Sequence, residues 1–162
     1  KLELDDRNLG FPSIYTPVPE LNTQWHSRLD FSGTQNITAN TDTGIGYTGV
    51  SEQNGIQKLL SSTGMVTPYK DGTTTADFHF QFTVPSGTNN FVDIKFVVNG
   101  TTYRSDSRPF LRSSGDTQQV SVSFTFPNGS EFLAHGGKFY INSSANITIT
   151  NRYISVVQHG NF

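Results

Sequence analysis

The stretch ADFHFQFTVPSGTNNFVDIKFVVNG, residues 76–100, contains two runs in which apolar and polar side chains alternate. The first run places three phenylalanines and a valine on one side of an extended chain. Alternation with a period of two is typical of a strand that buries one face. A Pro-Ser-Gly-Thr turn separates the runs, and Asn99-Gly100 follows the second run. Because a tight β-hairpin turn needs positive φ at both central residues, Asn99-Gly100 predicts a hairpin into the residues that follow.

The same rhythm continues towards the end of the sequence. Residues 119–126 alternate again, and the segments 138–142, 146–150 and 152–158 are short and β-prone. Residues 126–137 contain a second Asn-Gly pair and are interpreted as a loop. About eight to ten strands at this spacing, without a convincing amphipathic helix, favour an all-β fold. We predict an antiparallel sandwich of the jelly-roll type.

Composition excludes several classes of function. The chain has 162 residues, which is enough for one domain, a net charge of −2 and only 15% charged residues. So little charge argues against nucleic acid as a partner and against binding to membrane headgroups. No apolar run reaches the length of a membrane span, so we expect no membrane insertion. The absence of cysteine favours a cytosolic or viral assembly route over a secreted, disulfide-bonded one.

The chain divides into two parts by composition. Residues 1–22 join a charged, leucine-containing segment to one with three prolines. Dense proline excludes a helix and a central strand, so we interpret this part as a stem end followed by an extended arm. Residues 23–162 form the predicted β-jelly-roll knob domain.

Four apolar side chains lie on strand faces that a simple sandwich would expose to water. Tyr153 and Val157 lie on one face of a strand whose other face is also apolar, and Phe91 and Val97 lie on an otherwise polar face. A strand that is apolar on both faces is normally buried on both. We therefore predict that these four residues lie in a subunit interface. The alternative is that a loop or the proline-rich arm covers them.

Residue patterns that carry catalysis or metal binding are not found in the sequence. The four histidines match no metal-ligand spacing, and there is neither a nucleophile elbow nor a phosphate-binding glycine loop before a helix. Glycan cleavage would need two carboxylates about 5–10 Å apart. We expect no cofactor, no metal and no enzymatic activity.

The segment YRSDSRPFLRSSGD is the most highly charged part of the sequence. Arg104, Arg108 and Arg112 follow the predicted hairpin, with Asp106 and Asp116 among them. Arginine binds carboxylates and phosphates through paired hydrogen bonds. We predict that, between neighbouring chains of an assembly, the three arginines form an anion-binding site for an acidic glycan, a phosphate or a small carboxylate. The alternative is a solvated loop in which the two aspartates neutralise them.

The segments FVDIKFVVNGTTYRSD, QQVSVSFTF and GKFYINSSANITITNRYISVVQHG resemble a tumour-necrosis-factor-like (TNF-like) jelly roll. The resemblance covers roughly residues 76–160 and depends on the strand rhythm, the Asn-Gly hairpin and the apolar final strand. Such modules close as trimers. They include complement-type globular heads and the knobs of phage tail fibres and tail needles. The lack of cysteine and the surface rich in Asn, Ser and Thr favour the phage version.

The resemblance implies a homotrimeric, non-enzymatic tip domain of a phage tail needle or tail fibre. Such a knob would be part of the virion, outside the cell, and would contact a host cell-surface component during attachment, penetration and DNA delivery. A carbohydrate-binding, lectin-like module of a bacterial adhesin or enzyme is the alternative, since one fold serves both uses. A sugar site would use an exposed Trp or Tyr platform beside amides and carboxylates. Trp25 is the single tryptophan, beside Gln24 and His26, which makes this alternative the weaker one.

Overall fold

The computed structural model describes residues 24–45, 50–54 and 58–160 of the chain. The stem end and arm predicted for residues 1–22 lie outside these described residues. In chain order, the elements within the described residues are β1 (Gln24–Phe31), β2 (Gln35–Ile37), β3 (Thr43–Gly44), β4 (Val50–Asn54), β5 (Gly72–Thr83), β6 (Phe91–Val98), β7 (Thr101–Pro109), β8 (Thr117–Pro127), α1 (Ser130–His135), β9 (Lys138–Ser143) and β10 (Ile147–Gly160).

The strands form two antiparallel sheets. The four-stranded sheet has the order β3-β9-β6-β7, and the six-stranded sheet has the order β4-β1-β10-β5-β8, with β2 also paired to β10. Among the described strands, consecutive ones lie in different sheets at six connections: β2–β3, β3–β4, β5–β6, β7–β8, β8–β9 and β9–β10. Crossings of this kind between two packed sheets are typical of a jelly roll. The predicted all-β antiparallel jelly-roll sandwich is confirmed.

The core lies between the two sheets and consists of the inward-facing side chains of each strand. In β5, β6 and β8 every second residue is buried, as the sequence pattern predicts. Aromatic rings join the layers: the ring of Phe78 lies 5.2 Å from that of Phe139, and the ring of Phe96 lies 4.8 Å from that of Phe126. Because a fully buried side chain of this size stabilises a fold by about 1.5–3 kcal/mol, these cross-layer contacts hold the sandwich together.

A β-bulge divides β10, which the sequence predicted as two separate strands. The pairing of β10 with β5 shifts register just before Tyr153, where Asn151 has a φ of 49°. Asparagine tolerates this left-handed conformation better than most residues. The extra residue changes which positions face inward. Ile149 and Ile154 are both buried, although residues five positions apart in a regular strand would face opposite sides. Tyr153 and Val157 consequently point away from the core, as predicted.

The residue after the bulge, Arg152, is buried within this corner of the fold and is only 2% exposed. Its Nη1 atom donates a hydrogen bond of 3.0 Å to the Gln35 side-chain oxygen, and its Nη2 atom donates one of 3.0 Å to the Ser32 carbonyl. Its guanidinium also lies 5.3 Å from the ring centroid of Phe31. Burial lowers the pKa of Arg152 from its ordinary value. Arg152 therefore ties the bulge in β10 to the connection between β1 and β2.

Four connections meet at one end of the sandwich, which we call the loop end. They are residues 38–42, 84–90, 110–116 and 144–146. Backbone hydrogen bonds join them, including one of 2.8 Å from Val84 to Asp116 and one of 2.7 Å from Asn40 to Ser143. The first and last described strands begin and end at the opposite end, where Gln24 pairs with His159.

The predicted Asn-Gly hairpin joins β6 to β7 at this opposite end of the sandwich. Asn99 has a φ of 47° and Gly100 a φ of 80°, so both central residues adopt the positive φ that the prediction required. Val98 and Thr101 pair directly on either side of the turn. The hairpin prediction is confirmed.

Residues 126–137, predicted as a loop, contain the six-residue helix α1. Its side chain Phe132 is fully buried and packs edge-on against the rings of Phe96 at 5.7 Å and Phe126 at 5.1 Å. So short a helix with one buried side chain shows no helical periodicity in the sequence. The loop prediction was wrong for this reason.

Gly137→Ala is expected to lower the free energy of unfolding by about 1–3 kcal/mol, as overpacking does in a filled core. A Cβ atom at Gly137 would collide with the buried ring of Phe96 and lie 3.1 Å from Cγ2 of Val98. Urea denaturation would measure the loss. As a control, Gly44→Ala places its Cβ 3.4 Å from the Tyr140 ring, an ordinary contact, and should change stability by less than about 0.5 kcal/mol. Equal stabilities of the two variants would contradict the prediction.

Candidate functional site

The outward face of the six-stranded sheet, called here the outer face, carries two of the four predicted interface residues. Tyr153 and Val157 are half-buried, because neighbouring strands flank β10 on both sides. Val157 lies directly between His26 of β1 and Thr75 of β5. The outer face therefore places an aromatic and an aliphatic side chain among polar neighbours near the middle of the sheet.

Four strands contribute one side chain each to a row that crosses the outer face. The Arg28 guanidinium lies 4.0 Å from the ring centroid of Tyr153. The Tyr153 ring stacks on the His79 ring with centroids 5.0 Å apart and planes inclined by 19°. Nδ1 of His79 is 2.8 Å from Oγ of Ser121, at hydrogen-bond distance. Asp30 holds Arg28 in place through an ion pair of 2.9 Å. This cross-strand row fixes the side chains of the outer face in one arrangement.

The cross-strand row also disfavours protonation of its histidine. Burial and, to a smaller extent, the positive charge of Arg28 lower the pKa of His79 below its ordinary value of 6.5. The neutral ring stacks on Tyr153 without the cost of burying a charge. His79 is therefore neutral in the folded chain at neutral pH.

The free energy of unfolding is expected to fall as the pH decreases below about 6.5, partly because of His79. The unfolded chain, with an ordinary histidine pKa, binds the proton before the folded chain does, so this contribution is complete above that pH and is lost below it. Urea denaturation at about pH 7.5 and about pH 5.5 would measure the loss in the wild type and in His79→Gln. The variant should lose less stability, and equal losses would show that His79 has no part in the effect.

A carboxylate oxygen on the outer face is without a partner in the single chain. Oδ1 of Asp77 is shielded from solvent and has no hydrogen-bond partner among the described residues. Asp77 lies on β5 between Ser155 of β10 and Ser123 of β8. Leaving a buried acceptor unsatisfied costs about 1–3 kcal/mol.

The structure places the other two predicted interface residues elsewhere. Phe91 and Val97 lie on β6, on the outward side of the four-stranded sheet. Phe91 is 41% exposed, and Val97 is half-buried between Lys138 and Thr102. The four residues thus form two separate surfaces on different sheets. A strand that is apolar on both faces does not reveal which of the two sheets it belongs to, so the sequence could not separate these two surfaces.

The three arginines of the predicted anion site do not converge within one chain. Arg104 and Arg108 lie on β7, an edge strand that follows the hairpin. They are four positions apart along the strand, or roughly 13 Å. Arg108 forms an ion pair of 2.7 Å with Asp106, and Arg104 donates to the carbonyls of Tyr103 at 2.8 Å and Thr125 at 3.3 Å.

Arg112 lies apart from both, in the connection 110–116 at the loop end. Its backbone N–H is 3.4 Å from Oε1 of Gln118, and the residue lines a recess together with Leu111 and Gln119. Asp106 therefore neutralises Arg108, one of the three arginines. This agrees with the alternative interpretation, in which nearby aspartates neutralise the arginines. Any shared anion would have to lie between chains.

Two identical tripeptides pair with each other at the loop end. Asn36-Ile37-Thr38 and Asn146-Ile147-Thr148 run antiparallel, with the two isoleucines opposite each other. Thr148 donates a hydrogen bond of 2.8 Å to Oδ1 of Asn36, and Oδ1 of Asn146 accepts one of 2.7 Å from the Ala39 N–H. A groove of about 610 Å³ opens beside this pair. Sequence reasoning missed the groove, although the repeated tripeptide was a visible signal.

Comparison with known proteins identifies the fold. No protein-family model matches the sequence, and no curated protein matches it. Among solved structures, the PRD1 vertex protein P5 is similar with a TM-score of 0.56 and 16% identity, covering 83% of this chain and 95% of that chain. Eiger TNF from S. frugiperda gives 0.55 and 6% identity, covering 86% and 96% of the two chains. The globular domain of zebrafish complement 1qA protein gives 0.51 and 14% identity, covering 84% and 95%.

The chain has a TNF-like jelly-roll fold. The predicted resemblance is confirmed at the level of the fold. In this TNF-like jelly roll, the outer face belongs to the sheet with the order β4-β1-β10-β5-β8. The predicted interface residues Tyr153 and Val157 lie on its central strand.

Trp25 of the TNF-like jelly roll is not available as the exposed aromatic platform that the lectin alternative would use. Trp25 is only 8% exposed and packs edge-on against Tyr69 at 5.0 Å between ring centroids. Its indole thus belongs to the core, so Trp25 does not offer the exposed ring that a sugar site would use. Trp25 faces inward although its neighbours Gln24 and His26 are polar, because β1 buries every second side chain.

Neither a metal cluster nor a membrane-spanning helix is found in the described part of the TNF-like jelly roll. Among residues 24–45, 50–54 and 58–160, no three His, Asp or Glu side chains are grouped so that they could hold a metal ion. None of the described helices is long and apolar enough to cross a membrane. The features that remain as candidates for function are the outer face and the loop end.

Proposed function

We propose that this chain is the non-enzymatic tip, or knob, domain of a phage tail needle or tail fibre. It acts as a homotrimer on the virion, outside the cell, and contacts the host envelope during attachment, penetration and DNA delivery. The observation that supports this function is the TNF-like fold shared with a viral vertex protein over 83% of the chain. Because one fold serves several functions, the proposal is tested through assembly and location.

The two ends of the sandwich suit a tip domain. The chain enters β1 at Gln24, at the end opposite the loop end. A shaft joined through the preceding residues would therefore direct the loop end away from the virion. At the loop end Leu111 is 80% exposed, and the buried Gln118 side chain holds it by accepting from the Leu111 N–H at 2.9 Å and donating to the Pro109 carbonyl at 3.0 Å. A rigid loop with an exposed side chain suits recognition, because little entropy is lost on binding.

The outer face is the surface that we assign to the trimer. It places Tyr153 and Val157 near the middle of one sheet. A neighbouring chain would cover these two side chains. Permanent interfaces are larger and more apolar than transient ones, which suits a tip that must stay assembled outside the cell. In such a ring, Arg104, Arg108 or Arg112 would bind an anion only where two chains meet.

Light scattering at micromolar protein concentration tests the assembly. We expect a mass of three times 17.9 kDa. A stable monomer would remove the main argument for a needle or fibre tip. The location is tested independently by electron microscopy of virions labelled with antibodies against residues 24–160. Labelling confined to the end of the tail supports the proposal, and labelling of the capsid alone contradicts it.

A lectin-like module of a bacterial adhesin or enzyme is the second candidate, and the groove beside the paired Asn-Ile-Thr segments favours it. The groove is lined mainly by amide and hydroxyl side chains. Such a module is part of a larger adhesin or enzyme, and its function does not require a trimer. A monomeric mass together with sugar binding would select this candidate over the phage knob.

A further inference from the structure

The groove at the loop end has the size of a ligand site. Its volume of about 610 Å³ lies within the range of about 300–1,000 Å³ for small-molecule sites. It opens at the loop-end edge of the six-stranded sheet, beyond the cross-strand row of the outer face, where β2, β10, β5 and β8 end near one another. The groove lies among four strands and is not a dent in a single loop, so its shape is fixed by the sheet.

The lining of the groove is polar and uncharged. Eight of its eleven residues are Asn, Gln or Thr, and none carries a charge. The three apolar ones, Ile37, Phe82 and Ile147, are at most 5% exposed. The eight polar residues are Asn36, Thr38, Gln81, Thr83, Thr117, Asn146, Thr148 and Thr150.

This lining excludes two classes of ligand. An anion or a cation would leave its water shell without gaining an opposite charge. An apolar ligand would bury amides and hydroxyls without hydrogen-bond partners, which costs free energy for each group. A neutral ligand with many hydroxyl groups matches the lining, because hydroxyls and amides both donate and accept.

The groove is held in shape by hydrogen bonds that leave donors and acceptors unused. The bond from Thr148 to Asn36 and the bond from Ala39 to Asn146 both use side-chain oxygens of asparagine. Within the described residues, neither the Nδ2 groups of these asparagines nor the side chains of Gln81, Thr38, Thr83, Thr117 and Thr150 form a hydrogen bond. The two asparagines are thus already ordered and keep their Nδ2 donors for a ligand, and the other side chains add further unused donors and acceptors.

We propose that this groove binds a neutral oligosaccharide. The inference deepens the proposed host contact and rests on it for the kind of surface that the groove meets. Without an exposed aromatic ring in its lining, a single groove binds weakly. In the proposed trimer three grooves act together, and linked binding of this kind raises avidity by about 10²–10⁴ over a single site.

Binding to an array of neutral and acidic glycans tests the proposal, followed by titration of the best neutral glycan into isotope-labelled protein. We expect neutral glycans to bind and to shift the resonances of the groove residues. Thr148→Val and Thr83→Val each remove one hydroxyl at an exposed position and should weaken binding roughly threefold to tenfold. Thr101→Val, at an exposed position in the hairpin at the opposite end, should bind as the wild type does.

Three results would overturn the proposal: no neutral glycan binds, only acidic glycans bind, or both groove variants bind as the wild type does. A change of mass in Thr148→Val with unchanged melting temperature would instead make the groove a subunit contact, which also overturns it. The mass of the wild type separates this inference from the proposed function. A monomer that binds neutral glycans would support the glycan site and contradict the proposed phage knob. A trimer that binds no neutral glycan would support the knob and contradict the glycan site.

Discussion

Val157→Lys is expected to reduce the mass in solution from about three times 17.9 kDa to that of a single chain. Val157 is half-buried on the outer face beside Thr75 and His26, and no acidic residue lies directly opposite it on either neighbouring strand. A lysine there would be unpaired if a second chain covered it, which costs about 3–5 kcal/mol at each interface. Each 1.4 kcal/mol weakens association tenfold, so the trimer should dissociate at micromolar concentration.

Val97→Lys is the matched control and also separates the two predicted interface surfaces. Val97 is likewise a half-buried valine that points outward from a central strand, but it lies on the four-stranded sheet. If the outer face is the interface, Val97→Lys should remain trimeric with an unchanged melting temperature. Dissociation of Val97→Lys together with a stable trimer of Val157→Lys would assign the interface to the four-stranded sheet. If neither variant dissociated, both surfaces would face solvent in the trimer.

The sequence predicted those strands in which the alternation of apolar and polar residues shows directly which side chains are buried. Alternation in 76–84, 91–98 and 119–126 depends only on which side chains face the core, so it is readable without knowledge of the partners. The Asn-Gly hairpin is likewise local, because its backbone conformation selects its residues. These features together were sufficient for an antiparallel sandwich.

The sequence predicted only the start of β7, through the Asn-Gly hairpin, and missed its extent because the strand shows no alternation. It lies at the edge of the four-stranded sheet, and its nine residues are exposed or only half-buried. Without buried apolar positions, a strand that contains Arg104, Asp106 and Arg108 cannot be distinguished from a charged loop. The bulge in β10 was missed for a related reason, since one extra residue breaks the period and imitates two short strands.

The candidate sites depend on register between distant parts of the chain, which a sequence pattern does not contain. Asn36 and Thr148 are 112 residues apart, and they meet only because β2 pairs with β10. Phe91 and Tyr153 each lie on a strand whose sequence is apolar on both faces, yet the topology assigns the two strands to different sheets. Residue type alone therefore identified interface candidates but could not group them into one surface.

Arg152→Ala is expected to lower the free energy of unfolding by roughly 3–5 kcal/mol. Arg152 is 2% exposed, and its guanidinium donates to the Gln35 side chain and the Ser32 carbonyl, at 3.0 Å each. Hydrogen bonds to a charged group contribute about 1.5–3 kcal/mol each, and the variant loses both together with the contact to Phe31. Urea denaturation at a fixed protein concentration measures the change, since stability of an oligomer depends on concentration.

Arg152→Lys and Arg108→Ala distinguish the geometry of the guanidinium from its charge. Lysine keeps the charge but is a point donor without the planar fork that reaches two acceptors, so Arg152→Lys should lose a substantial part of the same stability. Arg108 forms an ion pair of 2.7 Å with Asp106 at a partly exposed position, and Arg108→Ala should cost less than about 1 kcal/mol. If Arg152→Ala unfolded at the same urea concentration as Arg108→Ala, Arg152 would not hold the bulge. The orientation of Tyr153 on the outer face would then depend on β-pairing alone.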